Sequence, residues 1–400
     1  MQYKNVYLYT SKVKGSLPEG KKKEIMVIFK TYKVKLYPNK EQEQFFAKSF
    51  GCARFVYNYL LSLKTKLYKE EGKNCGFSMM CKEIVSLKKK DEYSWLNDIG
   101  SRVPSYAIID LQRSFEMFFA KKARYPGFRS KKSFNSFTTD RISISGRKLK
   151  IPKLKSGIKF RGYSLTSDSP IYAIIMMDRC GEYYAAIVFR TESALSRKNN
   201  EAIGIDLGLK NFIVTSDYIK VDANSFLKDG LKRLSKLQRG LSRKTKGSKS
   251  WNRQRKKVAM AYKNICNRRN DKLHKLSTLL VRKYGTICTE DLSIKGLIMN
   301  RKLSRLIADA SWGDFERMLE YKAEWNGSTV VKVDRYFPSS KMCGVCGAVY
   351  KDLKLSDRMW RCPECGTILD RDENAAKNIL TEGIRILSAG NSDITPAERM

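Results

Sequence analysis

Two kinds of residue in this 400-residue chain have the spacing to do chemistry. The first is sulfur. Cys343-x-x-Cys346 is followed, fifteen residues on, by Cys362-x-x-Cys365, and a glycine follows each pair. Four thiolates so spaced can surround one Zn²⁺ tetrahedrally, in a closed and therefore structural site. Two local disulfides are the alternative, and the six further scattered cysteines make a disulfide framework a poor fit. The second is carboxylate. In Ile203–Asn211 a short apolar run delivers Asp206, Gly208 turns the chain, and Phe212–Thr215 leads away. That pattern is a β-hairpin with an aspartate on its first strand. Glu290 lies near the end of another strand pattern, and Asp372 where Asp370–Ala376 opens a final helix. The pattern alone leaves two readings open. The acids are solvated turn residues, or they are hard oxygen ligands that converge on Mg²⁺.

The rest of the composition narrows the chemistry. His274 is the single histidine. Nucleases and single-strand transposases built on histidine, and His-rich zinc hydrolases, need two or more, so hydrolysis here must rest on carboxylates and a metal. Two ions about 3.5–4 Å apart can activate water and stabilise a leaving 3′ oxygen. Lys plus Arg is 79 against 40 Asp plus Glu, a net charge of +39. Apolar content is ordinary, so the charge does not signal disorder. A folded chain this basic repels itself unless a polyanion neutralises it, and nucleic acid does so with release of counterions. A membrane surface is the weaker reading, because no run approaches the ~18 apolar residues of a spanning helix. No secretory apolar segment follows Met1, and Met26 is a candidate natural start.

Positioning elements follow from periodicity. Residues 1–27 are expected to be a basic tail. Alternation from Ile28 to Leu36 predicts a strand that Pro38-Asn39 ends. Apolar and aromatic stripes over 40–70 and 107–119 predict helices, read as core rather than stacking surface. Short strands follow at Ile142–Ile144, Leu149–Ile151, Lys159–Tyr163, Ile171–Met177 and Tyr183–Phe189, with hairpins at Ser145-Gly146 and Arg179–Gly181. Their spacing suggests a small barrel that the early strand joins, the helical block being an insertion. Residues 226–284 predict two antiparallel helices broken at Thr245–Ser248. From Lys228 to Lys275, 18 Lys/Arg face only Asp229 and Asp271, a density read as a backbone-phosphate surface. His274, beside the apolar stripe, is read as structural. The order of a three-stranded antiparallel lead, then helix, strand, helix, strand, helix, is that of an RNase H-like sheet.

Several motifs together resemble the TnpB (OrfB) family of insertion-sequence RNA-guided nucleases, relatives of type V CRISPR effectors. They are Leu36–Gln42, Gly51–Asn58, Tyr125–Lys131, Gly204–Gly208, Leu273–Ser277, Thr289–Leu292, Tyr336–Ser340, both C-x-x-C pairs and Asp370–Ile379. The resemblance spans most of the chain from Lys30. It implies an α/β multidomain protein. A RuvC-like nuclease domain (201–338 and 367–390) carries an inserted zinc ribbon (339–366). An N-terminal β-barrel, or wedge (28–39 and 126–200), carries an inserted helical recognition domain (40–125), and 391–400 is a tail. It implies Asp206, Glu290 and Asp372 as catalytic ligands of two Mg²⁺, with Asp372 rather than Asp370 at the matching position. It implies one structural Zn²⁺ on the four cysteines, a guide RNA from the transposon end, and cleavage of double-stranded DNA beside a short flanking motif, with base pairing supplying sequence specificity. A cytoplasmic, nucleoid-associated monomer holding one RNA in a bacterium or archaeon is expected. Leu369 departs from the histidine found there in many members. The candidate nucleic-acid contacts are Arg54, Tyr57, Asn58, Phe77, Arg129, Lys131, Lys132, Arg243, Lys244, Arg255, Lys256, Arg268 and Arg269. The alternatives are a guided regulator that does not cut and a transposase or its accessory protein.

Overall fold

In the computed structural model, residues 25–132, 134–162, 170–194, 200–223, 227–299, 304–354 and 356–389 are described. The expected tails at 1–24 and 391–400 lie outside them. Residues 25–27, expected in the tail, instead begin the first strand. The chain divides into two compact units, one running from Ile25 to Ser193 and one from Ala194 onward.

The first unit opens with β1 (Ile25–Tyr37), whose alternation buries Ile28, Val34 and Leu36. Helix α1 (Lys40–Glu71) starts at a capping box, in which Asn39 and Gln42 satisfy each other's backbone N–H, and stops at Gly72, with φ 65°. Next come α2 (Phe77–Leu87), a 3₁₀ turn at Asp91–Asn97, and α3 (Arg102–Phe119). Six strands follow: β2 (Ser136–Asp140), β3 (Ser143–Ser145), β4 (Lys148–Lys150), β5 (Ile158–Arg161), β6 (Pro170–Met177) and β7 (Tyr183–Ala194). They form one sheet in the order β2-β6-β7-β1-β5-β4-β3. The early strand therefore lies inside the sheet that follows the helices, as the sequence implies. Phe46, Leu60, Leu111, Phe137 and Ile175 knit helices and sheet into one core. Sequence periodicity missed α2, the 3₁₀ turn and β2.

The second unit begins with β8 (Ala202–Leu207), β9 (Asn211–Thr215) and β10 (Lys220–Asp222). The basic helices α4 (Leu227–Ser242) and α5 (Lys249–Lys283) follow, the latter capped by Ser248. After β11 (Thr286–Glu290) come α6 (Ile294–Met299), α7 (Ser304–Ala310) and α8 (Trp312–Asn326). The chain then forms β12 (Thr329–Val333), the short β13 (Met359–Arg361) and β14 (Ile368–Asp370), and α9 (Arg371–Ala389). Strand order is β10-β9-β8-β11-β12, with β8, β11 and β12 parallel and the β8–β9–β10 lead antiparallel. This is the RNase H-like order expected. Because strand side chains alternate, Ile203, Ile205 and Leu207 face one side, where Leu273, Leu280, Phe315 and Leu319 of α5 and α8 cover them. Cys288, Val331 and Val333 pack with Ile379 and Leu380 of α9 on the other. Among the described residues no helix is long and apolar enough to cross a membrane.

Candidate active site

The register of β8 against β11 sets two of the acids side by side. Gly204 pairs with Cys288 and Ile205 with Thr289, so Asp206 and Glu290 sit one rung further on, at the carboxyl ends of adjacent parallel strands. Gly204 and Asp206 share a face, as do Cys288 and Glu290, and that face is the one α9 covers. The packing there is very close. A Cβ on Gly204 would lie 2.1 Å from the Ala376 carbonyl oxygen, and one on Gly383 would lie 2.3 Å from Cys288 Sγ. Helix α9 thus runs antiparallel to β8, with Ala376 over Gly204. One helical turn back along α9 is about 6 Å, and two residues forward along β8 is about 6.6 Å. Asp372 is accordingly delivered to the end of the sheet that holds Asp206 and Glu290.

Electrostatics register that convergence. Burial at the strand end, then the charges of Glu290 and Asp372, push the Asp206 carboxyl up to about 8, and Arg371 and Arg358 only partly offset the rise. Asp372 is held by Arg358, whose Nη1 reaches its two carboxylate oxygens at 3.0 and 2.9 Å. Glu290 Oε1 accepts a hydrogen bond from the Ser339 hydroxyl. Asp370 does a different job. Its Oδ1 caps α9 by accepting from the N–H groups of Asp372 and Glu373, and Lys220 pairs with it at 2.8 Å and with Glu373 at 2.9 Å. Two acids two residues apart therefore divide the work. One fixes the helix start and the other points at the sheet end. The three carboxylates do not close to within 4.8 Å of one another. Their donor set nevertheless suits a hard divalent cation, because they are all oxygen and their mutual repulsion is incompletely neutralised by the chain's own cations.

The four cysteines do meet. Their sulfurs all lie within 4.8 Å of one another, with Cys343–Cys365 at 3.7 Å and Cys346–Cys362 at 3.6 Å. Sulfurs bonded to one zinc at about 2.3 Å stand about 3.8 Å apart in a tetrahedron, whereas a disulfide needs about 2.05 Å. All four cysteines are free, and the cluster could bind zinc. Gly347 and Gly366 close the two knuckles at φ 79° and 71°, and each donates back to the first cysteine of its pair.

Two buried asparagines tie this ribbon to the acids. Asn374 accepts from the Gly344 N–H and donates to the Met342 carbonyl, while Asn378 donates to the carbonyls of Ser339 and Met342. Ser339 in turn holds Glu290. Arg358, Ser339, Asn374, Asn378 and Lys220 were not singled out in the sequence. Ser339 lies in the Tyr336–Ser340 motif and both asparagines in Asp370–Ile379, where they also stand out as two poor helix formers four residues apart.

The candidate nucleic-acid contacts divide. Tyr57 is buried with its hydroxyl on Ser114, and Arg129 lies over its ring at 3.6 Å while pairing with Asp110. Asn58 exchanges two hydrogen bonds with the Arg129 backbone, and Arg54 donates to the Phe134 carbonyl. Arg269 donates to the Asp309 carbonyl on α7. The structure places these five in the scaffold. Phe77, Lys131, Lys132, Arg243, Arg255, Lys256 and Arg268 are exposed and Lys244 half-exposed, which leaves them open to a polyanion. His274 lies on α5 beside Leu273 and Ser277, which are buried. It is exposed at the surface of α5, its carbonyl accepts from Lys322, and partial desolvation of the ring, then the Lys322 charge, lowers its imidazole pKa.

Comparison with known proteins agrees with this architecture. Residues 26–73 match a "Helix-turn-helix domain" model of OrfB proteins, 187–301 a "Probable transposase" model of the same family, and 312–379 a "Cas12f1-like, TNB domain" model. The chain is 34% identical over 367 residues to a protein of Streptomyces pristinaespiralis named "Putative RNA-guided DNA endonuclease", covering 90% of this chain and 91% of that one. It is 29% identical to InsQ of Escherichia coli K12, which carries the same description, over 90% and 93%. A TnpB-like protein of Acanthamoeba polyphaga mimivirus is 26% identical, over 90% and 74%. Among solved structures, that of a Cas12f1–sgRNA–target DNA complex has a TM-score of 0.55 at 13% identity, covering 88% of this chain and 98% of that one, a likeness of fold. Identity over nine-tenths of both chains, with family matches from residue 26 to 379, establishes that this chain belongs to the TnpB (OrfB) family.

Proposed function

We propose that the chain is an RNA-guided DNA endonuclease that hydrolyses phosphodiesters at Asp206, Glu290 and Asp372, guided by RNA from its transposon end and licensed by a short DNA motif beside the target. The observation that carries this reading is the convergence of three carboxylates at the ends of β8 and β11 under α9, where burial, then the charges of Glu290 and Asp372, pushes Asp206 up to about 8. The names of the relatives agree with it. Divalent ions such as Mg²⁺, held by these three acids, would lower the pKa of an attacking water and stabilise the leaving oxygen. The chain's own residues orient the rest. Ser339 fixes the rotamer of Glu290, and the Asp370 cap with Lys220 fixes the first turn of α9, on which Asp372 rides. Arg358 pairs with Asp372 at 2.9 Å and so partly balances its charge. The four thiolates would hold one structural Zn²⁺, which would fix the fold of the ribbon carrying Arg358.

Plasmid cleavage by chain purified with its co-expressed RNA tests the proposal. Asp206→Ala should abolish cutting in Mg²⁺, a loss of at least about 10³-fold, and leave RNA binding intact. A variant that still cuts refutes the site. A wild-type chain that binds target and guide without cutting favours the non-cleaving regulator. Sequencing the bound RNA should return one defined species.

A further inference from the structure

The first unit contains a cavity of about 240 Å³ whose lining combines an apolar floor with a cationic rim. Phe45, Phe137 and Ile151 make the floor. Arg141 and Lys153 stand exposed on the rim, and neither has an ion-pair partner among the described residues. Arg102, also on the lining, is paired with Asp140 at 3.0 Å. Two features set this place apart. Arg141 and Lys153 both have left-handed backbones, at φ 55° and 72°, and only five described residues other than glycine do. Strain of that kind persists where surrounding structure imposes it. Here it presents two long cations at the mouth of one hollow. The hollow is also smaller than the roughly 300–1,000 Å³ of drug-sized sites. It suits one flat ring whose charged substituent stays outside.

We propose that this cavity binds a single unpaired nucleotide, with the base against the phenylalanine floor and the phosphate on Arg141 and Lys153. Unstacked bases docked on aromatic side chains are a common mode of single-strand recognition. The proposal rests on the nucleic-acid partnership inferred above, and it adds a site on the unit that lacks the carboxylates. Both RNA and DNA can supply such a nucleotide.

Substitution by glycine gives a clean test, since glycine tolerates φ > 0 and should not unfold the chain. Lys121 supplies the control. It is an exposed cation with φ 55° outside the cavity. Fluorescent octamers of uridine and of thymidine would be titrated by anisotropy against the full chain, R141G, K153G and K121G. R141G and K153G should each weaken binding about tenfold, and K121G less than twofold, with thermal melting unchanged or raised in all three. The octamer that shows the difference identifies the source as RNA or DNA. With 4-thiouridine or 4-thiothymidine in the probe, irradiation should crosslink to the peptide bearing Phe45 or Phe137. Equal losses in the three variants, or crosslinks only elsewhere, overturn the pocket and leave the endonuclease reading standing. No binding by the unsubstituted chain overturns both.

Discussion

Asp206 is the residue on which the local forces act hardest. Its folded-state pKa is raised from 3.8 to about 8, mainly by burial and then by Glu290 and Asp372. For an acid raised on folding, the favourable contribution is complete below the unfolded pKa and is lost as pH climbs through the folded one. The metal-free chain should therefore lose stability between about pH 4 and pH 8. The ionised form costs on the order of a few kcal/mol, shared among the coupled acids. Asp206→Asn should melt higher than the wild type at pH 8 in magnesium-free buffer, by several degrees, and the two should converge near pH 4. Added Mg²⁺ should raise the melting temperature of the wild type only. Equal melting temperatures at pH 8 would show that the carboxyl is not under strain. The candidate acids were legible because each ends or opens a periodic segment. Arg358 and Ser339 were not, because nothing in their local sequence says that the ribbon folds them back onto Asp372 and Glu290.

Among the elements, α9 does most to assemble the site. It meets β8 at Gly204 with no room for a side chain. Gly204→Ala should cost about 3 kcal/mol, at the upper end for overpacking, and should displace Asp372, so cutting should fall even where the chain stays folded. Melting and cleavage of the same preparation check this. An alanine variant of wild-type stability and activity would mean that α9 is not so seated. Long elements announced themselves in the sequence. The α4 and α5 stripes and the alternation of β1 are each sustained over many residues. Helix α2 is only 11 residues, and its Gly76 offers no side-chain cap. Strands β13 and β14 are three residues each, too short to establish a period. The helical block could be recognised as an insertion only because β1 had no other partner in sequence.

At the scale of the molecule, charge is the governing quantity. A net +39 concentrated on exposed faces such as α4 and α5 makes affinity for nucleic acid a steep function of ionic strength. If six to ten phosphates are contacted, RNA affinity should fall about 10³- to 10⁵-fold between 50 and 200 mM salt, and a log–log slope near zero would exclude a phosphate-tracking surface. Replacing Arg243, Lys244, Arg255 and Lys256 together by glutamine should flatten that slope by about three to four. Fold class was legible from element order, since strand order in the second unit follows from it. That the early strand joins the later strands was legible too, but its register, as Leu36 with Phe160, and the order of the short strands were not, because periodicity carries no information on which strand lies beside which.

The strut from the cysteine knuckles through Asn378 and Ser339 to Glu290 has a physiological consequence. A cluster of thiolates is the part of such a protein most readily attacked by oxidants. With zinc on the cluster as proposed, hydrogen peroxide that strips it would slacken the Ser339 hydroxyl holding Glu290, while the sheet and both helical layers stay packed. DNA cutting should thus fall silent under oxidative stress well before the protein unfolds, and return when thiol reductant and zinc are restored.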